Sequence, residues 1–97
     1  MSRASETVSL DPRAQALILA QALTDRGFTV TVLRSEGHRI HPCVQISGGR
    51  LRATEWVYAA PEDGHWWFWW SSLELIAPIG QVTLAAREIA GTLRSLA

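Results

Sequence analysis

The chain has no lysine, one cysteine and one tyrosine among 97 residues, and its formal net charge is zero. Each shortage excludes something. A protein held on duplex DNA by phosphate contacts carries an excess of basic side chains. Nine arginines against nine acids leave no such excess, so duplex DNA is not an expected partner. The lone Cys43 rules out an intrachain disulfide framework and makes a cytoplasmic setting the expectation. No apolar run is longer than Ala16–Ala20, which is far shorter than the ~20 residues that cross a bilayer. The first ten residues lack the apolar centre of a secretion signal, so no membrane role is expected. Basic charge supplied wholly by arginine, whose codons are GC-rich, points to a bacterial source with a GC-rich genome.

Motifs that carry chemistry are also scarce. There is no glycine-rich phosphate loop and no Ser-His-Asp pattern. His41 and Cys43 fall on one side of an expected strand, but i,i+2 neighbours stand roughly 6–7 Å apart. No carboxylate is expected on that face to orient the imidazole, so the thiol reads as packing. His38, His41, Cys43 and His65 lack the paired spacing of a metal site. No catalytic residue, metal or cofactor is therefore expected. Glu55 falls by parity on the apolar face, across from Pro42. Buried there it would be an acid–base candidate; the alternatives place it beyond the helices or turn it out through a bulge at Pro42.

What is present is a composition 47% apolar and 19% charged, which suits one soluble domain. Residues 1–9 read as a flexible polar arm and 10–97 as a single α+β domain. Asp11-Pro12 starts a helix: Asp caps the open N–H groups, and Pro fits the first helical position. Gly27 ends it after Arg26. Ala16, Leu19, Ala20 and Leu23 form its apolar stripe, while Leu17 and Ile18 fall outside it. A helix this apolar is expected to be covered on more than one side. Four strands follow, at 28–33, 40–47, 50–60 and 66–72, joined by turns at 34–38, Gly48-Gly49 and Pro61–Gly64. Pro42 suggests an edge or a bulge in the second strand. A second helix is expected over 79–96, with Ile79, Val82, Ala86, Ile89, Leu93 and Leu96 in one stripe. The order α-β-β-β-β-α predicts a four-stranded antiparallel meander with both helices on one face.

A two-residue turn at Gly48-Gly49 sets Ile46 opposite Leu51, Val44 opposite Ala53 and Ile40 opposite Val57, on one apolar face for the helices to cover. The other face then carries His41, Cys43, Gln45, Arg50, Arg52, Thr54, Trp56 and Tyr58. A four-residue turn at Pro61–Gly64 adds Trp67 and Trp69 to it and sends Trp66, Phe68 and Trp70 inward; a one-residue slip reverses this. Gln45, Arg52, Trp56, Tyr58, Trp67 and Trp69 are the candidate binding residues. Large exposed aromatic patches are covered by something, and the expected function is a non-catalytic interaction module that self-associates as a homodimer or docks a protein partner.

Two alternatives use the same face. One is a small-molecule-binding protein or small enzyme with a Trp- and Arg-lined pocket, taking a small aromatic or anionic ligand. The other is a single-stranded nucleic-acid binder, for which the βαββαβ order and aromatic-glycine motif are missing. Trp-rich strands also pack as closed core. Charge is locally polarised. Residues 26–52 carry Arg26, Arg34, Arg39, Arg50 and Arg52 against Glu36 alone, while residues 53–74 carry four acids and no base. This is either a solvated surface or a basic patch.

Overall fold

The computed structural model describes residues 11–33, 41–48 and 51–96. The expected arm over 1–9, the turn over 34–38 and most of the basic cluster (Arg34, Arg39 and Arg50) lie outside the described residues. The first helix, α1, spans Pro12–Asp25. Its start follows the local chemistry: the Asp11 side chain accepts a hydrogen bond from the Ala14 N–H at 3.3 Å, and Pro12 occupies the first turn. Arg26 caps the other end, and Gly27 at φ 100° lets the chain reverse. Ala16, Leu19, Ala20 and Leu23 are buried, as the stripe requires. Leu17 and Ile18 correct the expectation of a second covered side: they are 52% and 51% exposed.

Five strands follow rather than four: β1 (Thr29–Leu33), β2 (Cys43–Ser47), β3 (Glu55–Glu62), β4 (His65–Trp70) and β5 (Leu75–Pro78). They form one antiparallel sheet in chain order, β1 to β5. The last helix, α2, spans Val82–Leu96. The architecture is α+β, with the extra strand drawn from a stretch between the expected fourth strand and the second helix. Ile79 is buried but precedes α2, its N–H bonding to the Trp66 carbonyl at 3.2 Å. It continues the sheet edge although it falls in step with the helical stripe.

Two registers differ from the expected ones. Val44 opposes Val57 and Ile46 opposes Glu55, a shift of four residues from the pairing a Gly48-Gly49 hairpin would give. β2 ends at Ser47 and β3 starts at Glu55, and before β3 the Leu51 N–H bonds to the carbonyl of Gly48, which stands at φ 86°. On its far side β3 runs to Glu62, which pairs with His65. The turn there has two central residues, Asp63 and Gly64, at φ 52° and 79°, the doubly left-handed geometry that matches hairpin twist. This moves the β3–β4 pairing by two residues. Both shifts are even, so no side chain changes face. Pro42 stands just before β2 rather than inside it, and its carbonyl accepts the Ala59 N–H at 3.1 Å.

The core lies between the sheet and the two helices. Val44, Ile46, Val57, Ala59, Phe68 and Ala77 supply the sheet side. Leu19 and Leu23 of α1 and Ala85, Ala86, Ile89 and Leu93 of α2 supply the other. α1 lies over β1–β3, α2 lies against β5, and the helices touch each other. Among the described residues, no helix or strand packs on the opposite face.

Candidate functional site

Register decides which side chains share that open face. Gln45 opposes Trp56 and Cys43 opposes Tyr58; Tyr58 opposes Trp69 and Ala60 opposes Trp67. Directly opposed residues sit on one side of a sheet. Gln45, Trp56, Tyr58, Trp67 and Trp69 are thus brought together, each half-buried. Trp66, Phe68 and Trp70 point to the helix side, with Phe68 fully buried. Arg52 is not part of this group: β3 begins at Glu55, and Arg52 is exposed in the preceding connection.

Two leucines join the face that sequence reasoning missed. Phe68 opposes Ala77 while Trp69 opposes Leu75, so the ladder shifts between Phe68 and Trp69 and Ile76 has no cross-strand partner. This bulge sends Ala77 to the core and Leu75, 46% exposed, to the aromatic face. Bulges commonly re-aim a side chain in this way. Leu73 lies in the β4–β5 turn, its N–H bonded to the Trp70 carbonyl at 2.9 Å. Its φ is 75° and it is 78% exposed. The left-handed conformation costs a branched side chain about 1–2 kcal/mol. Leu73→Gly is therefore expected to stabilise the fold by up to about 1 kcal/mol, after allowance for the looser unfolded chain. Thermal denaturation checks this, and a lower melting temperature would remove the strain reading.

Tyr58, Ala60, Trp69 and Leu73, with His41 and Glu62, line a hollow of about 420 Å³, within the range of small-ligand sites. The Trp69 indole N–H donates to the Ala60 carbonyl at 3.1 Å. Its one polar group is thereby occupied and the ring is held in place. Among the described residues, Glu62 is the one carboxylate in this lining and no arginine contributes to it.

Of the other chemical candidates, His41 borders this hollow, whereas Cys43 and Glu55 are not among its described lining residues. His41 precedes β2 and stands edge-on to Trp66, ring centroids 5.5 Å apart at 79°; its Nδ1 is buried without a hydrogen-bond partner. Cys43 is buried within β2 between Leu33 and Tyr58. Glu55 keeps its core-side parity opposite Ile46, but at the sheet's end. There it lines a hollow of about 180 Å³ with Trp70, Ser71, Ser72, Glu74 and Thr92. Among the described residues, no three His, Cys, Asp or Glu side chains gather as metal ligands would. A third hollow, about 540 Å³, lies between α1 and the start of α2, with Gln15, Ile18, Val82, Leu84 and Arg87 in its walls. Comparison with protein-family models, with curated proteins and with solved structures finds no match to this chain.

Proposed function

We propose that this chain is a non-catalytic binding module whose aromatic sheet face docks a protein partner or a second copy. One observation carries the reading. Trp56, Tyr58, Trp67 and Trp69, extended by Leu73 and Leu75, occupy a face that no described helix or strand covers. Trp and Tyr dominate the anchor positions of protein interfaces, because they bury a large area with few rotatable bonds. The displaced Leu73 adds an exposed apolar knob beside a preformed hollow. Holding leucine in an unfavourable backbone conformation is consistent with selection for contact rather than stability.

The hollow favours a second reading, a flat apolar small molecule seated against Tyr58 and Trp69. With Glu62 in the wall and Arg52 elsewhere, a neutral or cationic aromatic suits it better than an anion. Both readings use Trp69, and one experiment tests whether the face is open. Nile red, a flat neutral dye, is titrated against the wild-type chain and three variants. Trp69→Ala is expected to weaken binding by about 2 kcal/mol, roughly 30-fold, with Trp56→Ala weaker in the same direction. Val57→Ala, adjacent in sequence but on the helix side, is expected to lose about 1–3 kcal/mol of stability and keep its dye affinity. If Trp56→Ala and Trp69→Ala only unfold the chain, as Val57→Ala does, the rings are core and the reading falls.

A further inference from the structure

The two edges of the sheet are not equivalent. β5 is four residues long, ends in Pro78 and carries the bulge. Short length, proline and bulges are the devices that stop an edge from pairing with another chain. β1 has none of them: Thr29-Val30-Thr31-Val32-Leu33 is uncharged, unbroken and rich in β-branched residues. It pairs with β2 on one side, and no described strand pairs with its other side. Val30 and Val32, on the core side of this strand, are only half-buried.

The helix above this edge is unfinished in the same place. Gln15 donates to the Ile79 carbonyl at 2.8 Å and Ile18 lines the hollow beside α2, so these two mark the α2 flank of α1. At about 100° per residue, Leu17 falls on the opposite flank, over the β1 edge, where it is 52% exposed. Its height along the strand also follows. Thr31 lies four residues beyond Gly27, about 13 Å of strand. The same distance back from Gly27 along α1, at about 1.5 Å per residue, is about nine residues and ends at Ile18, next to Leu17.

We infer that the β1 edge pairs antiparallel with the β1 edge of a second copy, on a twofold axis through Thr31, with Leu17 meeting the partner's Leu17 above it. The occupant is a second copy because the edge is self-complementary. Antiparallel self-pairing sets Thr31 against the partner's Thr31 and Thr29 against the partner's Leu33, with no charge opposed. The two α1 helices then run antiparallel. Arg13 at one end lies level with the partner's Gln21, one turn from the partner's Asp25, and Gln21 already holds Asp25 at 2.9 Å. An arginine of one helix thus stands about one turn, roughly 6 Å along the axis, from an aspartate of the other at both ends. The pairing yields one sheet of twice the width, with both helical layers on one side and both aromatic faces on the other.

The proposal does not depend on the aromatic face being a docking site, and the test separates them. The full chain is sedimented at micromolar concentration beside Thr31→Lys, Leu17→Lys and Trp69→Ala. Thr31 and Leu17 are exposed in the single chain, so their variants are expected to keep the wild-type circular dichroism. Wild type is expected near twice its 10.7 kDa. Each lysine variant is expected to dissociate at least about tenfold more readily, because like charges oppose across the axis or enter an apolar contact. Trp69→Ala is expected to leave the mass unchanged. A wild-type monomer overturns the proposal. So does a dimer that survives both lysines and is lost with Trp69→Ala, which would move the contact to the aromatic face. Loss of dye binding in Trp69→Ala with the mass unaltered bears only on the aromatic face.

Discussion

Phe68→Ala is expected to remove about 3–5 kcal/mol of stability, a large share of the roughly 5–15 kcal/mol that holds a domain together. Phe68 is the largest fully buried side chain. Its cross-strand neighbours are both small: Ala59 on β3 and Ala77 on β5. One ring thus fills the space that three side chains would otherwise share, between the sheet and the helices that carry Leu23, Ile89 and Leu93. Truncation leaves three alanines abreast, and a neighbouring strand cannot move in without breaking its ladder. The cavity stays open, which places the cost at the upper end of the range for lost aromatics. Urea denaturation followed by circular dichroism measures it. A loss below about 1 kcal/mol would show that the core relaxes around the gap or that Phe68 is not its centre.

Leu19→Ala and Leu17→Ala are expected to differ by several kilocalories per mole although they sit two residues apart on α1. Leu19 is wholly buried against the sheet, while Leu17 is half exposed. The first substitution is expected to cost about 2–5 kcal/mol through lost burial and an unfilled space. The second is expected to stay within about 0.5 kcal/mol of wild type, as surface changes do. The comparison is made by urea denaturation at a concentration dilute enough for the chain to be a monomer. Equal losses would mean that something covers α1 on a second side, as its apolar composition first suggested.

That contrast shows what sequence can and cannot settle here. The limits of α1 were readable because Asp11, Pro12 and Gly27 act through local backbone chemistry. The two faces of the sheet were readable because period-two alternation survives any even change of register, and both errors of register were even. The fate of Leu17 and Ile18 was not readable, since composition does not say how many neighbours a helix has. β5 was hidden for a different reason. It is four residues long, ends in proline and is bulged at Ile76, so it shows neither alternation nor a strand's usual length. With it went the placement of Leu75 on the aromatic face.

The site was legible in part. Gln45, Trp56, Tyr58, Trp67 and Trp69 were grouped by parity, and the structure sets them on one face. Arg52 was grouped with them only through a strand expected to start at residue 50. β3 starts at Glu55 instead, which leaves Arg52 before the strand, while Arg50, the other arginine expected on that face, lies outside the described residues. Leu73 carried no readable signal, because no residue type announces that leucine will take a left-handed turn position where glycine is the easier choice.

Strand order in this sheet is chain order, and that bears on how fast the molecule forms. Every strand finds its partner in the segment next to it, so each pairing closes a short loop and gives up little chain entropy before contacts form. The two-residue Asp63-Gly64 turn makes the β3–β4 closure the shortest of all. The contacts that join distant parts of the chain are those of α1, with α2, with β3 and through Gln15 with Ile79. Antiparallel sheets are slow to form when their pairings are remote in sequence. Here the remote contacts are those of α1, and the sheet itself assembles from neighbours, which puts its folding rate on the fast side for a protein with this much strand.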